Sequence, residues 1–354
     1  MTPRVTSPVP TTVWRSVLET DERAVVGQSL PWREAVLADG RFTDASVHYA
    51  FPSGREVVLP LVRRRRLPAA ATVVSSWPQV WGAGGPISTD GEITADEAAF
   101  VWRDVARRGT LVSEVTLRPE TAPAWLSAAS AAGYDVSASG SYLLDLAGGF
   151  DEVWRNRFRG TARTAMRKAE KLGVEVEVDR SGRLAHVYDE LHERSVRRRA
   201  ETEGEPVWLS RWRMSRVSST PAQVALVAAA FGKDCATWVA RRDGEPVAAI
   251  IVLSAGGHAK YWRGAMDKDL ATPFRANDLL HRLAIEEACD QGRRWYDMGG
   301  AHPDSALAAF KTKLGATLRH THELRARRLP ARAGHEARMR AETLVKRVTG
   351  LKEM

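Results

Sequence analysis

The stretch CATWVARRDGEPVAAIIVLSAGGHAKYWRGAM, residues 235–266, constrains this chain most. It reads as strand, Asp243-Gly244 turn, strand, Gly256-Gly257 turn, strand: an antiparallel meander over roughly 236–266. Such a sheet needs helices to cover it, and helical patterns flank it on both sides. Upstream lie two, about 183–200 and 208–230. Downstream, Leu279, Leu280, Leu283 and Ala284 line one face of a helix over 277–291, with Asn277 or Asp278 as its cap and Gly292 as its stop. RRWYDMGG then supplies a strand, 304–314 a helix and TLRHTHELRARRL a last strand.

The first half has a similar layout. SVHYAFPSGREVVLPLV predicts strands at 45–51 and 56–62 around a Pro52-Ser53-Gly54 turn, much as TWVARRDGEPVAAIIVL does later. Helix-rich sequence over 14–37 precedes it, with Pro31 near the first position of a helix. Glycine-rich WGAGGPI follows, then a helix over 94–108, a strand at 111–117, a helix over 121–132 stopped by Gly133, and a short apolar strand at 141–146. Gly148-Gly149 marks the joint. A basic helix over 151–172 comes next, capped by Asp151 and stopped by Gly173, and VEVEV alternates as a strand. The shared layout reads as an internal duplication of one α/β unit. It divides the chain into a flexible lead (1–12), a first lobe (13–147), a second lobe (148–328) and a basic C-terminal helix (329–354).

Composition sets the limits. With 354 residues and 44% apolar content the chain buries real cores. Its two cysteines, Cys235 and Cys289, form no disulfide framework, and no apolar leader or membrane-length apolar run is visible, so the expected compartment is the cytoplasm. A net charge of +9 favours anionic partners. No metal-ligand spacing appears; His320 and His322 share a strand face but read as a solvated edge. Nucleophile-elbow, P-loop and dinucleotide-binding motifs are also missing.

RFRGTARTAMRKAEKLGVEVEV, followed by AKYWRGAMDKDLATPFRANDLLHRLAIEEACDQGRRWYDMGGAHPDSALAAFKTKLGA, resembles the Fem-type peptidoglycan-bridge aminoacyltransferases and related acetyltransferases of the GNAT superfamily. The resemblance covers about 150–325 and extends to the first half in layout only. It implies an α/β fold of two tandem GNAT-like lobes, each a mixed, mostly antiparallel sheet flanked by helices. It also implies transfer of an acyl or aminoacyl group to a primary amine of a cell-envelope, amino-sugar or peptide acceptor. The co-substrate is acyl-CoA or aminoacyl-tRNA, with no tightly bound cofactor and no metal. The acceptor is nucleotide- or lipid-linked in such enzymes, and peripheral contact with the inner membrane face goes with that.

The resemblance also nominates residues. It places the Phe310-Lys311 pair at the transfer site, where a lysine holds the 3′ end of a tRNA or steadies an oxyanion; by position alone Lys311 reads as a solvated helix lysine. Asp297, at a strand end, is either a general base or a cap for the loop behind it. Alternation puts Tyr261 and Arg263 on one strand face and Trp262 on the other. ATPFRANDLL stands where a CoA-dependent relative carries a glycine-rich pyrophosphate loop, and has Arg275 and Asn277 but no glycine. Donor binding is therefore assigned to Arg263, Arg275, Asn277 and Phe310. Arg159, Arg163 and Arg167 form a stripe for acceptor phosphates, with Tyr261 beside them, or else a solvated basic face. Residues 173–236 are too short for the coiled-coil arm of tRNA-dependent bridge enzymes, which favours the acetyltransferase-like relatives. The tail places Leu344, Val348 and Leu351 at one helical stripe, for packing or for an anionic membrane. The competing class is a non-catalytic basic protein that binds RNA or a membrane surface.

Overall fold

The computed structural model describes residues 2–65, 73–78, 81–108, 111–214 and 219–327. The amphipathic tail expected at 329–354 lies outside them. The first half contains β1 (Arg4–Thr6), α1 (Thr11–Thr20), α2 (Leu30–Ala38), β2 (Phe42–Asp44), β3 (Val47–Ala50), β4 (Glu56–Leu59), β5 (Val62–Arg64), β6 (Val73–Ser75), β7 (Ile87–Ser88), α3 (Ala95–Arg107), β8 (Val112–Thr116), α4 (Pro123–Ala131) and β9 (Asp135–Asp145). The second half contains α5 (Gly149–Glu152), α6 (Gly160–Lys171), β10 (Glu175–Asp179), α7 (Ala185–Glu203), α8 (Val207–Met214), α9 (Pro221–Phe231), β11 (Cys235–Arg242), β12 (Glu245–Ala255), β13 (His258–Met266), α10 (Lys268–Phe274), α11 (Ala276–Asp290), β14 (Trp295–Asp297), α12 (Ala306–Lys313) and β15 (Thr317–Arg327).

The meander forms as its turns require: β11, β12 and β13 pair antiparallel, with β10 on the outer edge. The two-lobe α/β architecture is present, and the lobes share a sheet. Its order is β10-β11-β12-β13-β14-β9-β15-β8-β6-β5-β2, so the last strand among the described residues inserts between β9 and β8 of the first half. A second sheet, β1-β3-β4-β7, completes the first lobe. Residues 4–6, expected in a flexible lead, pair with β3 as β1. The strand expected at 141–146 is eleven residues long, because the polar run VSASGS pairs along β15.

Helices cover both faces of the second-lobe sheet. On the front face Val239, Ile251, Leu253 and Trp262 pack with Trp14 and Trp32 of the first lobe and with α7 and α9. On the back face Ala240, Ile250 and Val252 pack with α6, α11 and α12. The first lobe's opening helices thus form one core with the second lobe's sheet, and a third core lies between β3, β4, α3 and α4. The helix expected at 208–230 is two helices, α8 and α9. The basic helix expected at 151–172 breaks at Phe158, whose ψ of 129° is extended. Asp151 does not cap it: the N-cap is Gly148, in a left-handed conformation, and α6 restarts at Gly160.

Two local features of β13 govern the site. Its pairing with β12 shifts register between Ile251 and Val252: Ile251 opposes Arg263, Val252 opposes Tyr261, and Trp262 is the extra residue of a bulge. A bulge reverses the alternation beyond it. In addition β13 pairs in parallel with β14 at three positions only, ending at Lys260 and Asp297. Beyond that pair β13 runs on to Met266 while β14 stops, and the two chains part.

Candidate active site

A cleft of about 1050 Å³ lies between the lobes and reaches Lys260 and Asp297, the last paired residues of β13 and β14. Its walls are Trp32, Trp77 and Trp81 of the first lobe, its floor the polar side of β9 with Ser137, Ser139 and Ser141, and its inner end Lys260, Asp297, Gly299 and Gly300. The volume and the mix of aromatic and convergent polar groups are those of a ligand site.

At the inner end Asp297 is saturated with donors. Lys260 Nζ donates to Oδ2 at 2.5 Å, Ser141 Oγ to Oδ1 at 2.5 Å, and the Gly299 N–H to Oδ1 at 2.8 Å. Burial pushes the carboxyl up, but the Lys260 ammonium, the Ser141 hydroxyl and the Gly299 N–H outweigh it and hold the pKa at about 2. A carboxylate this acidic is a poor acceptor for an amine proton. Of the two expected roles its surroundings favour the anchor: Asp297 holds Lys260 and turns the loop behind β14. Gly299, at φ +72°, makes that turn in the left-handed region, and a Cβ on Gly300 would sit 3.0 Å from the Gly140 carbonyl oxygen. Nearby, burial pushes His258 down to about 4, with Asp297 opposing and Lys260 and Arg118 reinforcing the shift.

Lys311 sits behind this loop, not in the cleft. It is 2% exposed, and its Nζ donates to the Gly299 and Gly300 carbonyls at 2.9 and 2.7 Å. Burial lowers its pKa to about 8, with Asp297 opposing. A solvated lysine is therefore excluded. Phe310 packs inward, its ring 5.3 Å from His281, and Tyr261 stacks edge-on to the same imidazole at 4.7 Å. His281 is fully buried; its Nδ1 faces the Tyr296 hydroxyl at 3.2 Å. Burial, then Lys311 and Lys313, push it down to about 3.

The structure separates Tyr261 from Arg263. Tyr261 packs on the back-face core, whereas Arg263 donates to Ser219 Oγ on the front face and to the Trp262 carbonyl. The bulge at Trp262 is the reason. Arg275 is exposed at the single-residue junction of α10 and α11, in a left-handed conformation with φ 57°, and it, not Asn277 or Asp278, is the N-cap of α11. Asn277 is half-buried in the first helical turn, and Asp278 is ion-paired with Lys313. A helical turn thus occupies the place of a glycine-rich loop. Of the three arginines expected to form the acceptor stripe, Arg159 and Arg167 are exposed and Arg163 is drawn onto the backbone. Arg163 donates to the carbonyls of Trp154, Arg155 and Phe158, closing the end of the preceding helical turn. Arg167 lies over the Trp154 ring at 5.5 Å, and Arg159 is exposed.

Sequence reading missed Lys260 and Ser141. Each carried a signal: a lysine inside the apolar strand HAKYW, and serines at every second position of VSASGS. Among the described residues no cluster of three or more metal-ligating side chains occurs, and no helix is long and apolar enough to cross a membrane.

Residues 156–312 match the family profile described as "Acetyltransferase (GNAT) domain". No curated protein matches the chain. Among solved structures it is similar to FemX, at 12% identity and a TM-score of 0.66 over 90% of this chain and 96% of that one. It is also similar to the C-terminal domain of a putative lysylphosphatidylglycerol synthetase from Agrobacterium fabrum, at 15% identity and 0.54 over 94% and 97%. A tandem GNAT protein from the clavulanic acid biosynthesis pathway aligns at 13% identity and 0.52 over 92% and 97%.

Proposed function

We propose that the chain, whose residues 156–312 match the acetyltransferase (GNAT) domain profile, moves an acyl or aminoacyl group onto a primary amine of a cell-envelope, amino-sugar or peptide acceptor bound in the inter-lobe cleft. The observation that carries this is that Lys260 and Asp297, the last paired residues of β13 and β14, form the inner end of that cleft. The amine attacks the donor carbonyl there. Lys260, held by Asp297, is the cation that faces the reacting groups. Asp297 stays ionised, so the amine proton leaves through water. The donor is acyl-CoA or aminoacyl-tRNA. The missing glycine loop before α11 and the likeness in fold to FemX and to the lysylphosphatidylglycerol synthetase domain support aminoacyl transfer at the envelope.

The test is donor binding by calorimetry at moderate salt, comparing acetyl-CoA with an aminoacyl-tRNA pool and with uncharged tRNA. Binding of either charged donor, weakened in Lys260→Ala, is the expected result; binding of neither overturns the reading. One observation favours the competing reading, a surface-binding protein: Trp208 and Trp212, four residues apart on α8, are 67% and 50% exposed. If that reading holds, anionic vesicles or RNA will bind, and Trp208→Ala will weaken binding without affecting acyl transfer.

A further inference from the structure

The chain as a whole carries a charge of +9, but the inter-lobe cleft does not share it. Among the described residues every cation that lines the cleft is matched by a lining carboxylate: Lys260 by Asp297, Arg325 by Glu114 at 2.7 Å and Arg327 by Asp135 at 2.6 Å. One carboxylate is left over. Glu323 is exposed on the cleft floor, and its side chain has no hydrogen-bond or ion-pair partner among the described residues. Strand pairing sets what surrounds it. Glu323 stands opposite Ser137 on β9 and Thr116 on β8, and two residues nearer the inner end Thr321 stands opposite Ser139. The hydroxyls of Thr116, Ser139 and Thr321 meet no partner among the described residues. Thr321 is only 6% exposed, and a hydroxyl buried that far without a partner is one that a ligand in the cleft would satisfy. Trp77 and Trp81 line the facing wall.

We propose that this arm of the cleft is a subsite for an unphosphorylated amino-sugar oligomer, of the glucosamine oligosaccharide class, and that Glu323 is the residue that selects it. The inference rests on the acyltransferase reading above and names its acceptor. The attacking amine lies at the Lys260 end, and the rest of the acceptor runs outward along the floor. From Ser141 to Ser137 the strand rises about 14 Å, roughly the length of a di- to trisaccharide. Ring hydroxyls exchange hydrogen bonds with Ser139, Thr321 and Thr116, and the apolar C–H face of a pyranose packs on the indole wall. An ammonium on an outer sugar unit pairs with Glu323. A phosphate fits none of these positions: no lining cation among the described residues is free to receive it, and Glu323 repels it. A lysine-rich peptide would satisfy Glu323 but leave the hydroxyls of Ser139 and Thr321 without partners.

The test is calorimetric binding to the full chain without donor, at low salt and mildly acidic pH, where sugar amines are charged. The probes are glucosamine trisaccharide, its fully N-acetylated counterpart, UDP-glucosamine and trilysine. The amine trisaccharide is expected to bind tightest, and Glu323→Gln to weaken it about tenfold while leaving the uncharged N-acetylated form unaffected. Thr321→Val, which removes a hydroxyl and no charge, is expected to weaken both trisaccharides alike, about fivefold. Both substitutions remove groups that have no partner within the described residues, so the thermal midpoint stays that of the unmodified protein. Equal affinity of Glu323→Gln and the unmodified protein for the amine trisaccharide overturns the proposal, as does tighter binding of trilysine or UDP-glucosamine. Acylation of trilysine with no binding of the trisaccharide removes the subsite and leaves the acyltransferase reading standing. Binding of the trisaccharide as expected, with no transfer to any of the amine probes from either donor, overturns that reading and leaves the subsite standing.

Discussion

Lys260 and Lys311 both feel the charge of Asp297, yet they stand on opposite sides of one loop. In front, Lys260 keeps part of its side chain open to the cleft and is fixed by a saturated carboxylate. Behind, Lys311 is sealed by apolar and aromatic neighbours and bonds only backbone. The comparison teaches that one side-chain type takes two environments on the two faces of one loop: a charge paired on a cleft wall in front, and a clamp on backbone carbonyls behind.

The largest expected effect falls on the shared carboxylate. Asp297→Ala leaves Lys260 without its partner and frees the Gly299 turn, and should cost about 3–5 kcal/mol in urea unfolding. A loss no greater than that of an ordinary surface change would mean the ion pair is solvent-relaxed and the front wall is not built as described.

Acid separates the two faces next. His258 in front and His281 behind are held neutral, with pKa values of about 4 and about 3 against an ordinary 6.5. Between 6.5 and those values the unfolded chain binds the proton and the folded chain does not, so stability falls as pH falls through that window. For His258 alone the loss is about 3 kcal/mol by pH 4. Asp297 adds a second step as pH falls from about 3.8 towards 2. Urea midpoints against pH should show both steps, and His281→Phe should remove the back-face share of the first. A midpoint flat from pH 7 to pH 4 contradicts the burial of both imidazoles.

Lys311→Met should cost about 1–3 kcal/mol, less than Asp297→Ala, because Gly299 keeps a second donor in the Tyr142 N–H and only the Gly300 carbonyl is orphaned. Equal costs for the two substitutions would erase the distinction between front and back.

The smallest contrast lies in the arginine stripe. Arg163→Ala should cost about 1–2 kcal/mol, since it leaves helix-end carbonyls unpaired, and Arg159→Ala less than about 0.5 kcal/mol. If Arg159→Ala instead weakens acceptor binding as measured by KM, the expected phosphate stripe survives in part.

Much of the framework was legible in the chain. The Asp243-Gly244 turn, the alternating VEVEV strand and the apolar stripe of α11 are local signals, and each produced the expected element. The candidate site was half legible. Asp297, Lys311 and Phe310 do gather around the loop after β14, but their roles were not readable, since a lysine looks the same in sequence whichever side of a loop it occupies. Lys260 was hidden in an apolar strand, and Ser141 mattered only once β9 met β14.

The sequence by itself determined the order of strands, turns and helices, because turn chemistry and hydrophobic period act within a few residues. The tertiary structure alone decided which groups face the cleft. A single extra residue at Trp262 turned Arg263 away from Tyr261, insertion of β15 beside β9 built the cleft floor, and the packing of α12 set Lys311 behind the Gly299-Gly300 loop. Those outcomes depend on pairings between segments far apart in the chain, and no local pattern encodes which face such a pairing leaves open.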